Sequence, residues 1–250
     1  MPRYFLEVAY KGTNYSGFQK QENANTIQTE IEKAFAVLQR HPVALTGSSR
    51  TDTGVHALQN YFHFDLETAL HPHFLYKVNA LLPRDIVVKS LHAMHDNAHS
   101  RFDAVSREYE YRIYREKNPF LQGQALYYPY KLDIGLMEEA AQLVKAQENF
   151  YAFSKTNTQV KNFRCTIKSS FWEVRDDTTV YTIEGNRFLR GMVRLLTASM
   201  LKIGRNQLSL MQFKELFDTD RKCGLSVPPT GLFLKEVRFP ENFFPLPARL

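Results

Sequence analysis

Strand-like alternation and helical apolar stripes follow one another in both halves of this 250-residue chain. In residues 3–10 the large side chains occupy every second position, which predicts a strand. A stripe of apolar residues at helical spacing follows, and Asn25 with Gln28 approximates a capping box at its start. The stripe consists of Ile27, Ile31, Ala34, Phe35 and Leu38. The first forty residues therefore predict a strand, a turn-rich loop and a core-facing helix.

The pattern continues beyond this helix. Residues 43–49 read as a strand that runs into a polar turn, and residues 57–65 resume extended patterning. Residues 73–82 predict a shorter helix that ends before Pro83, and residues 86–88 predict a buried strand.

A second set of elements begins near Arg107. Residues 107–113 alternate as a strand, 136–146 predict an amphipathic helix, and 178–184 predict another strand. A late helix is indicated by the apolar residues Phe188, Met192, Leu195 and Leu196. No short repeat is visible, which disfavours a solenoid. We therefore predict an α+β or mixed α/β fold with two related subdomains, residues 1–104 and 105–250.

Composition narrows the possible partners. The chain carries 32 lysines and arginines against 26 acids, a net charge of +6, which favours a polyanion such as nucleic acid. Two cysteines without CxxC spacing fit a reducing compartment, so we expect a cytoplasmic protein. The first residues read as a strand, and no apolar run is long enough to span a bilayer, so no membrane partner is expected.

The octapeptide Arg50–Ala57 is the most informative motif. It places Asp52 on a loop between two strands, beside Arg50 and a turn at Gly54. A nearby guanidinium favours the ionised carboxylate, and glycine adopts backbone angles that present a neighbouring side chain. On the late helix, Arg187, Arg190 and Arg194 recur at i, i+3 and i+7, which predicts a basic stripe that meets phosphates or is simply solvated.

The octapeptide resembles the active-site motif of the tRNA pseudouridine synthase A family, and other segments resemble that family's motifs in the same order. These are residues 10–21, 26–28, 79–86, 99–104, 107–111, 192–194 and 231–234. Each short match is weak, but their shared order around Asp52 makes coincidence a poor explanation.

The resemblance implies a pseudouridine synthase fold with a mixed or antiparallel central sheet, flanking helices and a basic cleft. It implies that Asp52 is the catalytic nucleophile and that Arg50 belongs to the RNA-handling loop. Tyr109 would contact the uracil, Arg194 would pair with the aspartate, and Leu232 to Leu234 would help to line the pocket.

The resemblance also implies a homodimer that binds tRNA and modifies its anticodon stem-loop. Isomerising uridine needs no added electrons, water or phosphate, so no cofactor is expected. The sequence leaves open whether Asp52 attacks the sugar carbon, adds to the ring or removes a proton.

Three positions depart from the family pattern: Ser49 replaces the usual glycine, Thr53 the usual alanine, and Lys11 a frequent aspartate. A serine at a position that needs a positive φ would strain the loop.

Other functions match parts of this sequence. Asp52-Thr53-Gly54 spells the tripeptide of aspartic proteases, but that chemistry needs two aspartates that share a proton. A tRNA-binding module without catalysis is the main alternative. The eight histidines suggest a metal site, yet neither cysteine adds a ligand at matched spacing, so no metal is expected. His56 is interpreted as a structural residue of the loop. Lys11-Gly12-Thr13 lacks the glycine spacing of a phosphate loop.

Overall fold

The computed structural model describes residues 1–67, 70–156 and 160–245. Within these residues the chain forms nine strands and five α-helices. In chain order they are β1 (Arg3–Tyr10), α1 (Ile27–Gln39), β2 (Thr46–Gly47), β3 (His56–Asp65), α2 (Phe74–Leu81), β4 (Ile86–Met94), β5 (Ser106–Tyr114), β6 (Leu126–Tyr127), α3 (Ile134–Lys145), β7 (Ile167–Arg175), β8 (Thr178–Gly185), α4 (Met192–Gly204), α5 (Leu210–Glu215) and β9 (Leu232–Arg238). The fold is α+β, as the sequence predicted.

The chain divides into two compact units. The first contains Met1–Val105 together with the segment that begins at Leu234, and the second contains Ser106–Phe233. The first boundary lies next to the predicted one. The assignment of everything after residue 104 to the second subdomain was wrong, because strand β9 leaves the second unit and its continuation belongs to the first.

Aromatic packing explains why the described residues after Leu234 belong to the first unit. The ring of Phe239 packs edge-on against Phe5 and Tyr61, with centroid separations of 5.8 and 5.2 Å. Phe244 packs against the same two rings at 6.1 and 5.5 Å. The backbone N–H of Val105 also donates to the carbonyl of Arg238 at 2.8 Å. Burying such rings contributes several kcal/mol to stability. These contacts therefore form although the rings lie far apart in the sequence.

In the first unit, β1 lies between β3 and β4 and pairs antiparallel with both. Its Leu6 faces Phe62 on β3 and Leu91 on β4. The short strand β2 pairs antiparallel with β3, so the predicted strand at residues 43–49 is reduced to two residues. The loop that contains Asp52 therefore runs from β2 to β3, at one end of this sheet.

Helix α1 buries the predicted apolar face, but its capping residue differs from the predicted one. Thr26, not Asn25, is the N-cap, and its side chain accepts from the backbone N–H of Thr29. The side-chain amide of Gln28 instead donates to the carbonyl of Leu45 at 2.8 Å. Of the five stripe residues, Leu38 is only half-buried and the others are buried.

In the second unit, β8 lies between β5 and β7 and is antiparallel to both, and β6 pairs parallel with β5. Helix α3 packs against β7 and α4. Helix α4 begins at Met192, after Gly191, whose φ is 76°. Arg187 and Arg190 therefore lie in the loop before the helix, and the predicted helical stripe with Arg194 was wrong. Glycine in the left-handed region interrupts the helical spacing that the sequence suggested.

None of the helices among the described residues is both long enough and apolar enough to cross a bilayer.

Candidate active site

Asp52 lies in the loop between β2 and β3 and is partly exposed to solvent. The backbone N–H of Val55 donates to the carbonyl of Asp52 at 3.1 Å, which closes a tight turn. Gly54 within this turn has a φ of 77°, a conformation that side chains disfavour. The predicted glycine turn is therefore present, and it leaves the Asp52 side chain partly accessible.

A second loop, residues 11–18, holds the backbone of the Asp52 loop in place. The N–H of Phe18 donates to the carbonyl of Thr51 at 3.1 Å, and the N–H of Gly54 donates to the carbonyl of Tyr15 at 3.3 Å. These bonds lie on either side of Asp52. They restrict the positions that its carboxylate can take, which is the kind of fixed geometry that catalysis requires.

Gly12 brings the two loops into contact. Its N–H donates to Nδ1 of buried His56 at 3.1 Å. A Cβ on Gly12 would lie 2.0 Å from the carbonyl oxygen of Val55, so only glycine fits. His56 thus acts as a structural acceptor, as the sequence suggested, and the glycine of Lys11-Gly12-Thr13 is used for close packing.

Buried polar side chains form hydrogen bonds to the Asp52 loop. The Tyr10 hydroxyl and the Thr51 hydroxyl share a hydrogen bond of 2.8 Å. The side-chain amide of Asn60 donates to the Tyr10 hydroxyl at 3.2 Å and to the carbonyl of Ser49 at 2.8 Å. Asn60 is fully buried, and a buried amide of this kind is costly to remove once others depend on it. Sequence reasoning missed Asn60, although a polar residue within an apolar strand was a signal.

Ser49 does not have the strained backbone that its departure from the family pattern suggested. The non-glycine residues with positive φ among those described are Asn23, Arg40, Asp176, Asn206 and Asn242. Serine is therefore compatible with the loop at this position.

Asp85 fixes the far side of the 11–18 loop. The Tyr15 hydroxyl donates to Asp85 Oδ1 at 2.5 Å, and the N–H of Lys11 donates to the carbonyl of Asp85 at 2.9 Å. Burial, followed by the hydrogen bond to Asp85, raises the pKa of Tyr15 above its ordinary value. The phenol therefore stays protonated and keeps donating at neutral pH.

Arg50 lies next to the turn but belongs to a solvent-facing surface. Its side chain is exposed and lines a cleft of about 230 Å³. Arg50 forms no ion pair with another residue that the structure describes. The guanidinium is therefore accessible to solvent, and the role of Arg50 beside Asp52 stays a prediction.

The other predicted site residues lie on different elements. Tyr109, on β5, is mostly buried and packs edge-on against Phe188 at 5.0 Å. Arg194, on α4, donates from Nε to the carbonyl of Val227 at 2.7 Å. Leu234 on β9 has an exposed fraction of 0%, so it forms part of a packed wall.

No group of three or more histidine, cysteine or acidic side chains that could hold a metal occurs in the part of the chain that the structure describes. Two of the histidines take structural roles near β2. His63 lies 4.5 Å from His99, ring centre to ring centre, and its Nδ1 accepts from the N–H of Ser100 at 3.3 Å.

Burial, followed by the neighbouring charges of His99 and Arg3, lowers the pKa of His63 to about 4. The unfolded chain takes up this proton near pH 6.5, so stability should fall as the pH decreases from 6.5 towards 4. We expect the buried His63 to account for a loss of about 2 kcal/mol between pH 7 and pH 5. Urea unfolding of wild type and His63→Gln at both pH values measures it.

His41→Gln, at an exposed histidine, is the matched control and should keep the wild-type pH dependence. An equally steep loss of stability in His63→Gln would show that His63 does not bind the destabilising proton.

The α+β fold and the supported aspartate loop define a candidate enzyme that works through a carboxylate. Comparison with known proteins identifies the family of the chain. A family model described as tRNA pseudouridine synthase matches residues 7–103 and 140–240. The chain therefore belongs to the tRNA pseudouridine synthase family, as its motifs predicted.

Individual relatives agree along almost their whole length. A tRNA pseudouridine synthase A of Parabacteroides distasonis is 40% identical over 250 residues, which cover 98% of this chain and 99% of the relative. That of Porphyromonas gingivalis is 39% identical over 251 residues, covering 98% and 100%. That of Staphylococcus aureus is 34% identical over 245 residues, covering 96% and 92%.

Proposed function

We propose that this protein isomerises uridine to pseudouridine in tRNA, with Asp52 as the catalytic nucleophile. The observation that carries the proposal is the position of Asp52. It is a partly exposed carboxylate on a turn held on both sides by the 11–18 loop, in a chain of the tRNA pseudouridine synthase family.

The reaction exchanges one bond for another without an external reductant or oxidant. The bond from sugar C1′ to uracil N1 breaks, the ring turns, and C5 forms the new bond to C1′. The C5 hydrogen leaves as a proton, and N1 takes up a proton. A carboxylate that adds to the sugar or to the ring divides this step into easier ones, and removal of a proton is the third possible role. All three roles need a side chain that reaches the substrate, which a partly exposed residue on a fixed turn provides.

The remaining residues are proposed as the means of binding. Arg50 would handle RNA beside Asp52, and Tyr109, Arg194 and Leu234 would contact or shape the substrate, as the resemblance implies. Their side chains provide guanidinium groups for a polyanion and an aromatic face for a base extruded from its stack. Arg187 and Arg190, which lie in the loop before α4, are proposed as RNA contacts. The net charge of +6 supports a nucleic-acid substrate.

We also propose a cytoplasmic homodimer that acts on the anticodon stem-loop. The two free thiols, Cys165 and Cys223, fit a reducing compartment. Sedimentation of the purified protein tests the dimer. Mapping pseudouridine in tRNA from cells that lack this protein tests the target, and unchanged anticodon stem-loops in those cells would contradict it.

Hydrogen exchange at uracil distinguishes isomerisation from binding. Purified protein incubated with tRNA transcripts tritiated at uracil C5 should release tritium to solvent, because C5 loses its hydrogen when it bonds to the sugar. Transcripts tritiated at C6 are the control and should keep their label. Tight tRNA binding without release from C5 would support the non-catalytic alternative and refute the enzyme.

A further inference from the structure

A tight turn next to the Asp52 loop, His99–Asp103, presents a large aromatic side chain to solvent. Phe102 is 73% exposed although phenylalanine is usually buried. It lines the cleft of about 230 Å³ that Arg50 also lines. All the described residues that line this cleft belong to the first unit.

The turn is held by its own hydrogen bonds. The N–H of His99 donates to Asp103 Oδ2 at 2.7 Å, and the N–H of Asp103 donates to the carbonyl of His99 at 3.0 Å. The N–H groups of Arg101 and Phe102 both donate to His99 Nδ1, at 3.1 and 3.3 Å. These bonds fix the backbone of the turn, so Phe102 is presented from a defined position on it.

A buried serine ties this turn to the strand that leads into the Asp52 loop. The hydroxyl of Ser100 donates to the carbonyl of Thr46 on β2 at 3.1 Å. Its N–H donates to His63 Nδ1 on β3. The turn and the Asp52 loop are thus connected through the same pair of strands.

The rings form a short stack that ends at the surface. Phe102 packs against His99 with centroids 4.2 Å apart and planes tilted by 33°, and His99 packs edge-on against buried His63. Burial lowers the pKa of His99, which keeps its Nδ1 available as an acceptor at neutral pH. Because Phe102 remains largely exposed, much of its ring is open to a further planar group.

The charge of the cleft selects the kind of planar group. Arg50 and Arg101 line it, and no carboxylate is found among its described lining residues. The guanidinium carbon of Arg101 lies 5.7 Å from the centre of the Phe102 ring. The cleft, at about 230 Å³, is smaller than the roughly 300–1,000 Å³ of drug-sized ligand pockets, so it accepts a small group at its surface and does not enclose a whole ligand.

We propose that Phe102, supported by His99 and flanked by Arg50 and Arg101, is a stacking platform for an unpaired base of the RNA, near the uridine that reacts at Asp52. The base lies on the ring, and the two guanidinium groups contact adjacent phosphates. Aromatic rings beside basic side chains bind single-stranded RNA in this way, because every base has a face that can stack. This inference rests on the proposed function, since it assigns a subsite of the same RNA substrate.

The test compares Phe102→Ala with Phe102→Tyr and with Phe120→Ala, an equally aromatic and 85% exposed control on the second unit. Loss of one stacked base should weaken tRNA binding roughly 5- to 100-fold in Phe102→Ala. Tyrosine should restore most of the affinity, and Phe120→Ala should bind as wild type. Filter binding with tRNA transcripts gives the dissociation constants, and thermal unfolding should be unchanged in all three variants.

Arg101→Gln separates the charge contribution from stacking. It should reduce the slope of log affinity against log salt by about one, whereas Phe102→Ala should leave that slope unchanged. A merely structural role for the turn would not separate the two variants in this manner.

Wild-type affinity in Phe102→Ala would overturn the platform. So would a Phe102→Ala variant whose weaker tRNA binding is accompanied by dissociation into monomers, because Phe102 would then contact a second copy of the chain. If wild-type protein releases no tritium yet tRNA binding depends on Phe102 as expected, the platform stands and the isomerase proposal fails. Absence of tRNA binding by wild type overturns both.

Discussion

Asp52→Asn is expected to lower the rate of tritium release from tRNA labelled at uracil C5 by at least roughly 1,000-fold, while tRNA affinity stays near that of wild type. The amide keeps the shape of the side chain but cannot act as an anionic nucleophile or base. The loop should keep its conformation, because backbone hydrogen bonds close the Asp52 turn and join it to the 11–18 loop. Single-turnover release and filter binding measure the two quantities separately.

Asp96→Asn, at an exposed aspartate of the same unit, is the matched control and should leave the rate unchanged. Undiminished label release in Asp52→Asn would refute the assigned nucleophile. Loss of tRNA affinity equal to the loss of rate would instead make Asp52 a binding residue.

Gly12→Ala should have the second largest effect, even though Gly12 is proposed for no chemical role. The new methyl group would lie 2.0 Å from the carbonyl oxygen of Val55 and 2.7 Å from its carbonyl carbon. Both loops must move to relieve this contact, and the bond from Gly12 to His56 is lost with them. We expect a loss of roughly 2–4 kcal/mol in the free energy of unfolding.

The displacement should also reach catalysis. Val55 donates to the carbonyl of Asp52, so a shift of Val55 moves the carboxylate. Misplacement by about 1 Å can cost on the order of 100-fold in rate. Urea unfolding and the tritium-release rate test the two effects, and Gly224→Ala is the control because a Cβ there meets nothing within 4 Å. Equal stability and rate in Gly12→Ala would show that the two loops are not coupled through this contact.

Local sequence patterns predicted most helices and strands because the pattern and the packing depend on the same side chains. Alternation in residues 3–10 corresponds to β1, and the stripe from Ile27 to Phe35 is the buried face of α1. The sequence predicted a start of α4 that was too early. Phe188 continues the apolar spacing of the helix, but the helix itself begins only after Gly191. The membership of the segment after Leu234 was unpredictable, because it depends on rings far apart in sequence.

In the candidate site, too, contacts between residues far apart in the sequence could not be predicted. The aspartate and the glycine turn were readable from eight consecutive residues, whereas Tyr10 and Asn60 reach the loop from two strands. Such support depends on tertiary contacts and leaves only a weak local signal. The cluster of His63, His99 and Phe102 was equally hidden, although its members were visible individually.

The return of the chain to the first unit affects the order in which this protein can fold during synthesis. When Val105 leaves the ribosome, Phe5 and Tyr61 lack the Phe239 and Phe244 rings that later pack on them. Residues 106–233 are contiguous, so the second unit can fold before the last segment of the first unit has been synthesised. The aspartate loop is thus carried by the unit that is made first but finished last.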